Sequence, residues 1–107
     1  MTIYMLRIPE MSRKEHTTPD VLSQYISDDL DRAMLWAAKL VLSMHKSVEI
    51  VSFHATQKGT LMKEYGEMHI DRKFGLTWTK FGNGPWTIYS VDSPSSYPLK
   101  MTRIGRL

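Results

Sequence analysis

The stretch from Thr18 to Lys46 constrains the fold of this chain more than any other, because it carries the signals of one long helix. Thr18 is a good cap, Pro19 suits the first helical position, and Asp20 favours the positive end of the helix dipole. Apolar residues then recur at the spacing of one helix face, namely Leu22, Ile26, Leu30, Ala33, Ala37, Leu40 and Met44. The sequence therefore predicts a single long helix near the N terminus.

The second half of this stretch is apolar on nearly every side. Only two of the twelve residues from Ala33 to Met44 are polar, and a helix of that kind must be covered nearly all round. A bilayer crossing needs about 20 apolar residues, so this half is too short to span a membrane. Either a sheet covers it, or Leu35, Trp36 and Leu42 contact another protein or form a homodimer.

Strands are predicted on both sides of the helix by runs of β-branched and aromatic residues between turn signals. They cover residues 2–8, 48–55, 65–72, 76–81, 86–92 and 99–104, and the residues just after 60 are also compatible with a helical turn. The order β-α-β-β-β-β-β predicts an α+β fold, in which a curved, mainly antiparallel sheet of five or six strands packs on the helix. We expect residues 1–107 to form a single domain.

The best hairpin signal is Asn83-Gly84, since this dipeptide favours a two-residue turn between strands. The pairs expected across the turn are Phe81–Trp86, Trp78–Tyr89 and Leu76–Val91. Pro85 cannot donate a ladder hydrogen bond, so a longer loop with a shifted register is the alternative.

The order of elements resembles the cystatin-like arrangement, and Pro85-Trp86 near a hairpin tip is similar to the second loop of cystatins. The Gln-x-Val-x-Gly loop of that family has no counterpart, because Gln57-Lys58-Gly59 does not match it. The resemblance therefore implies an architecture and no function.

Composition excludes several classes of function. The chain has no cysteine, so it has neither disulfides nor thiolate metal sites, and a reducing, cytoplasmic setting is expected. It has no Gly-x-Ser-x-Gly, no phosphate-binding glycine motif and no RNP or GXXG motif, so neither a cofactor nor a common recognition module is indicated. The net charge of +3 is uneven, because residues 72–107 carry six basic residues against Asp92 alone.

The hairpin and the basic residues near it form the candidate contact surface. Phe81 and Trp86 would lie on the hairpin face opposite Trp78, and aromatic residues with arginine are typical of protein interfaces. The predicted partner-binding residues are Arg72, Lys73, Lys80, Phe81, Trp86, Lys100, Arg103 and Arg106. The same residues could stack on unpaired bases and contact phosphates of RNA or single-stranded DNA. The alternative is that other parts of the fold cover this side of the sheet.

A second candidate site is the series Glu67, His69 and Asp71, which would share one strand face because the residues are spaced two apart. Two carboxylates beside an imidazole could bind a divalent metal or transfer protons. The simpler interpretation is the solvent face of an amphipathic strand.

The favoured hypothesis overall is a small non-enzymatic binding protein, an inhibitor or accessory factor such as phages encode, that docks on a larger protein or nucleoprotein assembly. Nucleic-acid binding and a small metal-dependent or acid-base enzyme are the alternatives.

Overall fold

The computed structural model of the chain describes residues 1–9 and 20–106, with residues 20–24 described by their backbone alone. This part of the chain contains seven strands and one helix. Their bounds are β1 Thr2–Ile8, β2 Asp20–Ser27, α1 Leu30–Met44, β3 Val48–Thr56, β4 Gly59–Asp71, β5 Gly75–Lys80, β6 Thr87–Ser93 and β7 Lys100–Arg106. The strands form one sheet in the order β2-β1-β3-β4-β5-β6-β7, and every neighbouring pair is antiparallel. The predicted α+β class is confirmed.

The predicted helix is wrong in its first third. Residues 20–27 form strand β2, which pairs with β1 so that Arg7 lies opposite Val21 and Met5 opposite Ile26. Apolar residues at helical spacing did not decide the conformation here, because the free edge of β1 supplies a ladder of backbone hydrogen bonds that an isolated helix cannot match. The predicted cap at Thr18 and Pro19 lies outside the described residues.

In the described residues the sheet has seven strands instead of the predicted five or six, and the helix is not N-terminal because two strands precede it. The described elements therefore follow the order β-β-α-β-β-β-β-β, which has one more strand before the helix than the predicted order. Strand β4 also differs from the prediction, because it starts at Gly59 and has no helical turn after residue 60.

The helix begins at a different cap, Asp29, whose carboxylate accepts the backbone N–H of Asp31 at 3.0 Å and of Arg32 at 3.4 Å. It ends at His45, which adopts the left-handed conformation (φ 55°) and donates its N–H to the carbonyl of Val41 at 2.9 Å. Local capping rules thus explain both ends of α1.

One face of α1 packs on the sheet through small side chains that allow the backbone of the helix to approach closely. The buried residues on this face are Ala33, Met34, Ala37, Ala38 and Val41, and the sheet contributes Leu6, Val48, Ile50, Met68 and Trp78 to the same core. The expectation that the helix is covered nearly all round is too strong, since Leu42 is 43% exposed.

The predicted register of the β5–β6 hairpin is confirmed, because Trp78 lies opposite Tyr89. The ladder ends at the pair Lys80–Thr87, one position before Phe81 and Trp86. Those two rings nevertheless touch, with their centroids 4.6 Å apart. The loop is held at its first residue, where the N–H of Phe81 donates to the carbonyl of Tyr65 at 3.0 Å.

Irregular pairing bends the sheet away from a flat ribbon. The register shifts between Ile50 and Val51 in β3 and between Ile88 and Tyr89 in β6, and an unpaired extra residue of this kind increases the local twist of a strand. The side of the sheet turned away from α1 is called the far face below.

Candidate docking groove on the far face

The far face carries two adjoining cavities of about 360 and about 400 Å³. Glu67, Phe81 and Trp86 line both of them, so we treat the two as one groove. The first cavity, called the apolar end, is also lined by His69, Asp71, Phe74, Thr77, Thr79, Ile88 and Ile104. The second, called the carboxylate end, is also lined by Arg7, Pro9, Glu49 and Glu64.

Strand alternation explains which side chains reach the apolar end. Met68 and Trp78 lie opposite each other and point into the core under α1, so their neighbours along the chain point to the far face. Thr77 and Thr79 form the floor of the groove, and Thr77 is only 1% exposed although it lies on the side away from the helix. The groove is therefore a concave surface with a buried floor.

The prediction that Glu67, His69 and Asp71 share one strand face is confirmed, since all three line the groove. Tyr65, two positions earlier, does not follow the pattern. It is the extra residue of the β3–β4 bulge, between the pairs Ile50–Gly66 and Val51–Glu64. Its ring instead stacks on Trp78, with centroids 6.2 Å apart.

The structure does not place these three residues around a common metal position. Among the described residues, no three of His, Cys, Asp and Glu are placed to hold one metal ion. Asp71 has a structural role, because its Oδ1 accepts the backbone N–H groups of Lys73 at 2.7 Å and Phe74 at 3.0 Å, and these bonds lower the pKa of its carboxyl group. Nδ1 of His69 is buried and has no hydrogen-bond partner in residues 1–9 and 20–106.

An aromatic pair separates the two ends of the groove. Phe81 and Trp86 pack against each other with their ring planes tilted by 47°, and Trp86 is 43% exposed. An indole that is held by a neighbouring ring and still exposed offers a large apolar contact surface. This pair was predicted from the sequence as a contact surface.

The carboxylate end contains an ion pair that was not predicted. Nη2 of Arg7 donates to Oε1 of Glu49 at 2.5 Å and to Oε1 of Glu64 at 2.8 Å. Arg7 and Glu49 are buried, whereas the side chain of Glu64 is 57% exposed. Burial raises the pKa of Glu49, the hydrogen bond and charge of Arg7 oppose that shift, and the carboxylates of Glu64 and Glu67 add to it.

The predicted basic residues do not join the aromatic pair. All six are exposed, but Lys80 lies beside Tyr65, with its Nζ 5.8 Å from the ring centroid, on the helix side of the sheet. Arg72 and Lys73 lie in the turn after β4. Lys100, Arg103 and Arg106 lie on β7, an edge strand of the sheet. The structure therefore divides the predicted contact surface into an aromatic part and several separate basic parts.

The helix residues considered for a homodimer are unequally exposed. Leu35 and Trp36 are half-buried and pack against the core, and Trp36 also meets Tyr25 of β2 edge to face at 5.6 Å. Leu42 is the exposed member of the three. No helix in the described part of the chain has the length and apolarity that a membrane crossing requires.

Comparisons of the chain with protein-family models, with curated proteins and with solved structures each found no match. The groove is therefore the feature from which a function can be inferred.

Proposed function

We propose that this chain is a small non-enzymatic binding protein, an inhibitor or accessory factor, that docks on a larger protein or nucleoprotein assembly through the groove. The observation that supports it is the Phe81–Trp86 pair, which lines two cavities on the far face and leaves the indole of Trp86 exposed. Tryptophan is among the residues that contribute most to binding energy at the centres of protein interfaces. The absence of cysteine suits a cytoplasmic setting.

The position of the charges favours protein over nucleic acid as the partner. Stacking on unpaired bases requires cations beside the aromatic rings, to meet the phosphates. Here Glu67 lines both cavities beside Phe81 and Trp86, and Lys80, the nearest basic residue in sequence, contacts Tyr65 on the other side of the sheet. Carboxylates at that position would repel a phosphate backbone.

The test is a pull-down from lysate with wild type, Trp86→Ala and Leu42→Ala, each with and without nuclease. Leu42 is a matched control, because it has the same 43% exposure as Trp86 and lies on α1. We expect wild type and Leu42→Ala to retain a partner protein that Trp86→Ala loses. The partner is then identified by mass spectrometry, and its affinity for each variant is measured with purified components.

The controls decide between the alternatives. Circular dichroism and thermal melting must show that Trp86→Ala folds as the wild type does. Loss of the partner with Leu42→Ala but not with Trp86→Ala would move the docking surface to the helix and refute the proposal. Loss of all signal on nuclease treatment would mean that the contact is to nucleic acid.

A further inference from the structure

The carboxylate end of the groove has an excess of negative charge. Three carboxylates, from Glu49, Glu64 and Glu67, line it together with the guanidinium of Arg7. Arg7 already donates to two of these carboxylates from the same nitrogen. One positive charge against three negative charges leaves a formal excess of two, although the chain as a whole has a net charge of +3.

Aromatic rings border the same cavity. Phe81 and Trp86 line it, and the indole of Trp86 is exposed. A cation placed over an indole face is attracted by the ring quadrupole, more strongly when the cation is desolvated. Carboxylates within reach would add charge-assisted hydrogen bonds to the same cation. This combination of rings and carboxylates suits the side chain of lysine or arginine, whose apolar stem can lie along the rings.

Among residues 1–9 and 20–106, the two lysines that contact aromatic rings do so outside the carboxylate end. Nζ of Lys80 lies over Tyr65, and Nζ of Lys73 lies 5.2 Å from the centroid of Phe74, which lines the apolar end. Within that part of the chain, Arg7 is the one cation that lines the carboxylate end, and it is already paired with Glu49 and Glu64.

The apolar end continues directly from this cavity. Phe74, Ile88 and Ile104 line it above the threonine floor, and it shares the aromatic pair with the carboxylate end. An extended segment advances about 3.3 Å per residue and places alternate side chains on the same side. Such a segment could therefore fill both ends with residues close together in its sequence.

We propose that the groove takes an extended basic and apolar segment of a partner protein, with a lysine or arginine between the Phe81–Trp86 pair and the carboxylates and an apolar side chain in the apolar end. This inference rests on the proposed function, because it names the chemistry of the partner that docks there. The excess negative charge of the cavity and its exposed indole support a cationic residue at that position.

The experiment that tests it is a selection of random dodecapeptides displayed on phage against the immobilised protein, with counter-selection on Trp86→Ala. We expect the enriched peptides to carry lysine or arginine within one to three residues of an aliphatic or aromatic residue. Enriched peptides that require Trp86 but are acidic or uncharged would overturn this inference and leave the proposed function standing. No enrichment that depends on Trp86 would overturn the proposed function, and this inference with it.

The most enriched peptide then allows a quantitative test by fluorescence anisotropy, with Glu64→Gln compared with Asp28→Asn. Both variants remove one exposed negative charge, but Asp28 lies between β2 and α1 and does not line the groove. Arg7 keeps Glu49 as a partner in Glu64→Gln, so the fold should be retained. We expect about tenfold weaker binding for Glu64→Gln and no change for Asp28→Asn, because a charge-assisted hydrogen bond contributes locally. Equal weakening in both variants would reduce the effect to net charge and overturn the inference.

Discussion

Gly66 of β4 is a position where one methyl group should disturb the core. A Cβ at this residue would lie 2.5 Å from Cζ2 and Cη2 of Trp78 and 2.6 Å from the carbonyl oxygen of Thr79. Carbon atoms in good contact lie about 3.5–4.0 Å apart, so the neighbours would have to move by about 1 Å. Neither neighbour moves easily, because Trp78 is 2% exposed and the oxygen belongs to the backbone of β5. Overpacking of this kind costs about 1–3 kcal/mol, and we expect Gly66→Ala to lie near the upper end.

Urea denaturation followed by circular dichroism would measure this loss. Gly105→Ala is the matched control, because Gly105 lies in β7 and a Cβ there meets nothing within 4 Å, so its free energy of unfolding should change by less than about 0.5 kcal/mol. In a Trp78→Leu background, Gly66→Ala should cost less than it does in wild type, since the smaller side chain removes the ring contact and leaves only the contact with the Thr79 oxygen. If Gly66→Ala is as stable as wild type, the indole does not lie on Gly66 and the packing argument is refuted.

Trp78→Ala should lower the free energy of unfolding by about 3–5 kcal/mol, because Trp78 is a core residue. Trp86→Ala should lower it by only about 1 kcal/mol. Equal losses in urea denaturation would show that Trp86 is not a surface contact. Burial raises the pKa of the Glu49 carboxyl group, so the folded state binds this proton more tightly than the unfolded state does. The stability that this gives is fully present below the unfolded pKa of about 4.3 and is lost as pH rises through the folded pKa. Glu49→Gln should remove this component from denaturation curves collected between pH 4 and 8, and an unchanged profile would contradict the assignment. The hydroxyl of Tyr97 donates to the carboxylate of Asp29, and this hydrogen bond lowers the pKa of Asp29. The contribution of Asp29 to stability is therefore present above the unfolded pKa of about 3.9 and is lost as pH falls through the folded pKa. Tyr97→Phe should move this acid loss to higher pH, and the same acid transition in both proteins would refute the role of the hydrogen bond.

Local signals predicted the parts of the fold that local interactions decide. Asn83-Gly84 and the aromatic residues around it were enough to predict the hairpin pairing that places Trp78 opposite Tyr89. The apolar spacing of the helix is confirmed from Leu30 to Met44. In both cases the residues that determine the structure lie within a few positions of one another.

The helix start was mispredicted because residues 20–27 satisfy two patterns. Val21 and Ile26 suit a strand, yet Leu22 and Ile26 also have helical spacing. The outcome was decided by the free edge of β1, which is distant in sequence. The cluster Ser27-Asp28-Asp29 was the available signal for the later start, since Asp29 is the observed cap.

The groove could be predicted only in part for the same reason. Phe81, Trp86 and the series from Glu67 to Asp71 were recognised because each lies on one strand or hairpin. The carboxylate end was not, because Arg7 is 42 residues from Glu49 and 57 residues from Glu64. A buried arginine and its partners show no periodicity, and only the sheet order brings them together.

The sheet order has a consequence for the sequence of events during folding. Each of the strands β3 to β6 pairs with the next strand in the chain, so the meander from β3 to β7 can form through short loops whose closure costs little entropy. Pairing of β1 with β3 must instead bring together residues such as Thr2 and His54, 52 positions apart. We therefore expect β1 to join late, after a transition state that already contains the hairpins. Because Arg7 arrives with β1, the carboxylates of β3 and β4 would repel one another until that last step, which makes completion of the groove and completion of folding the same event.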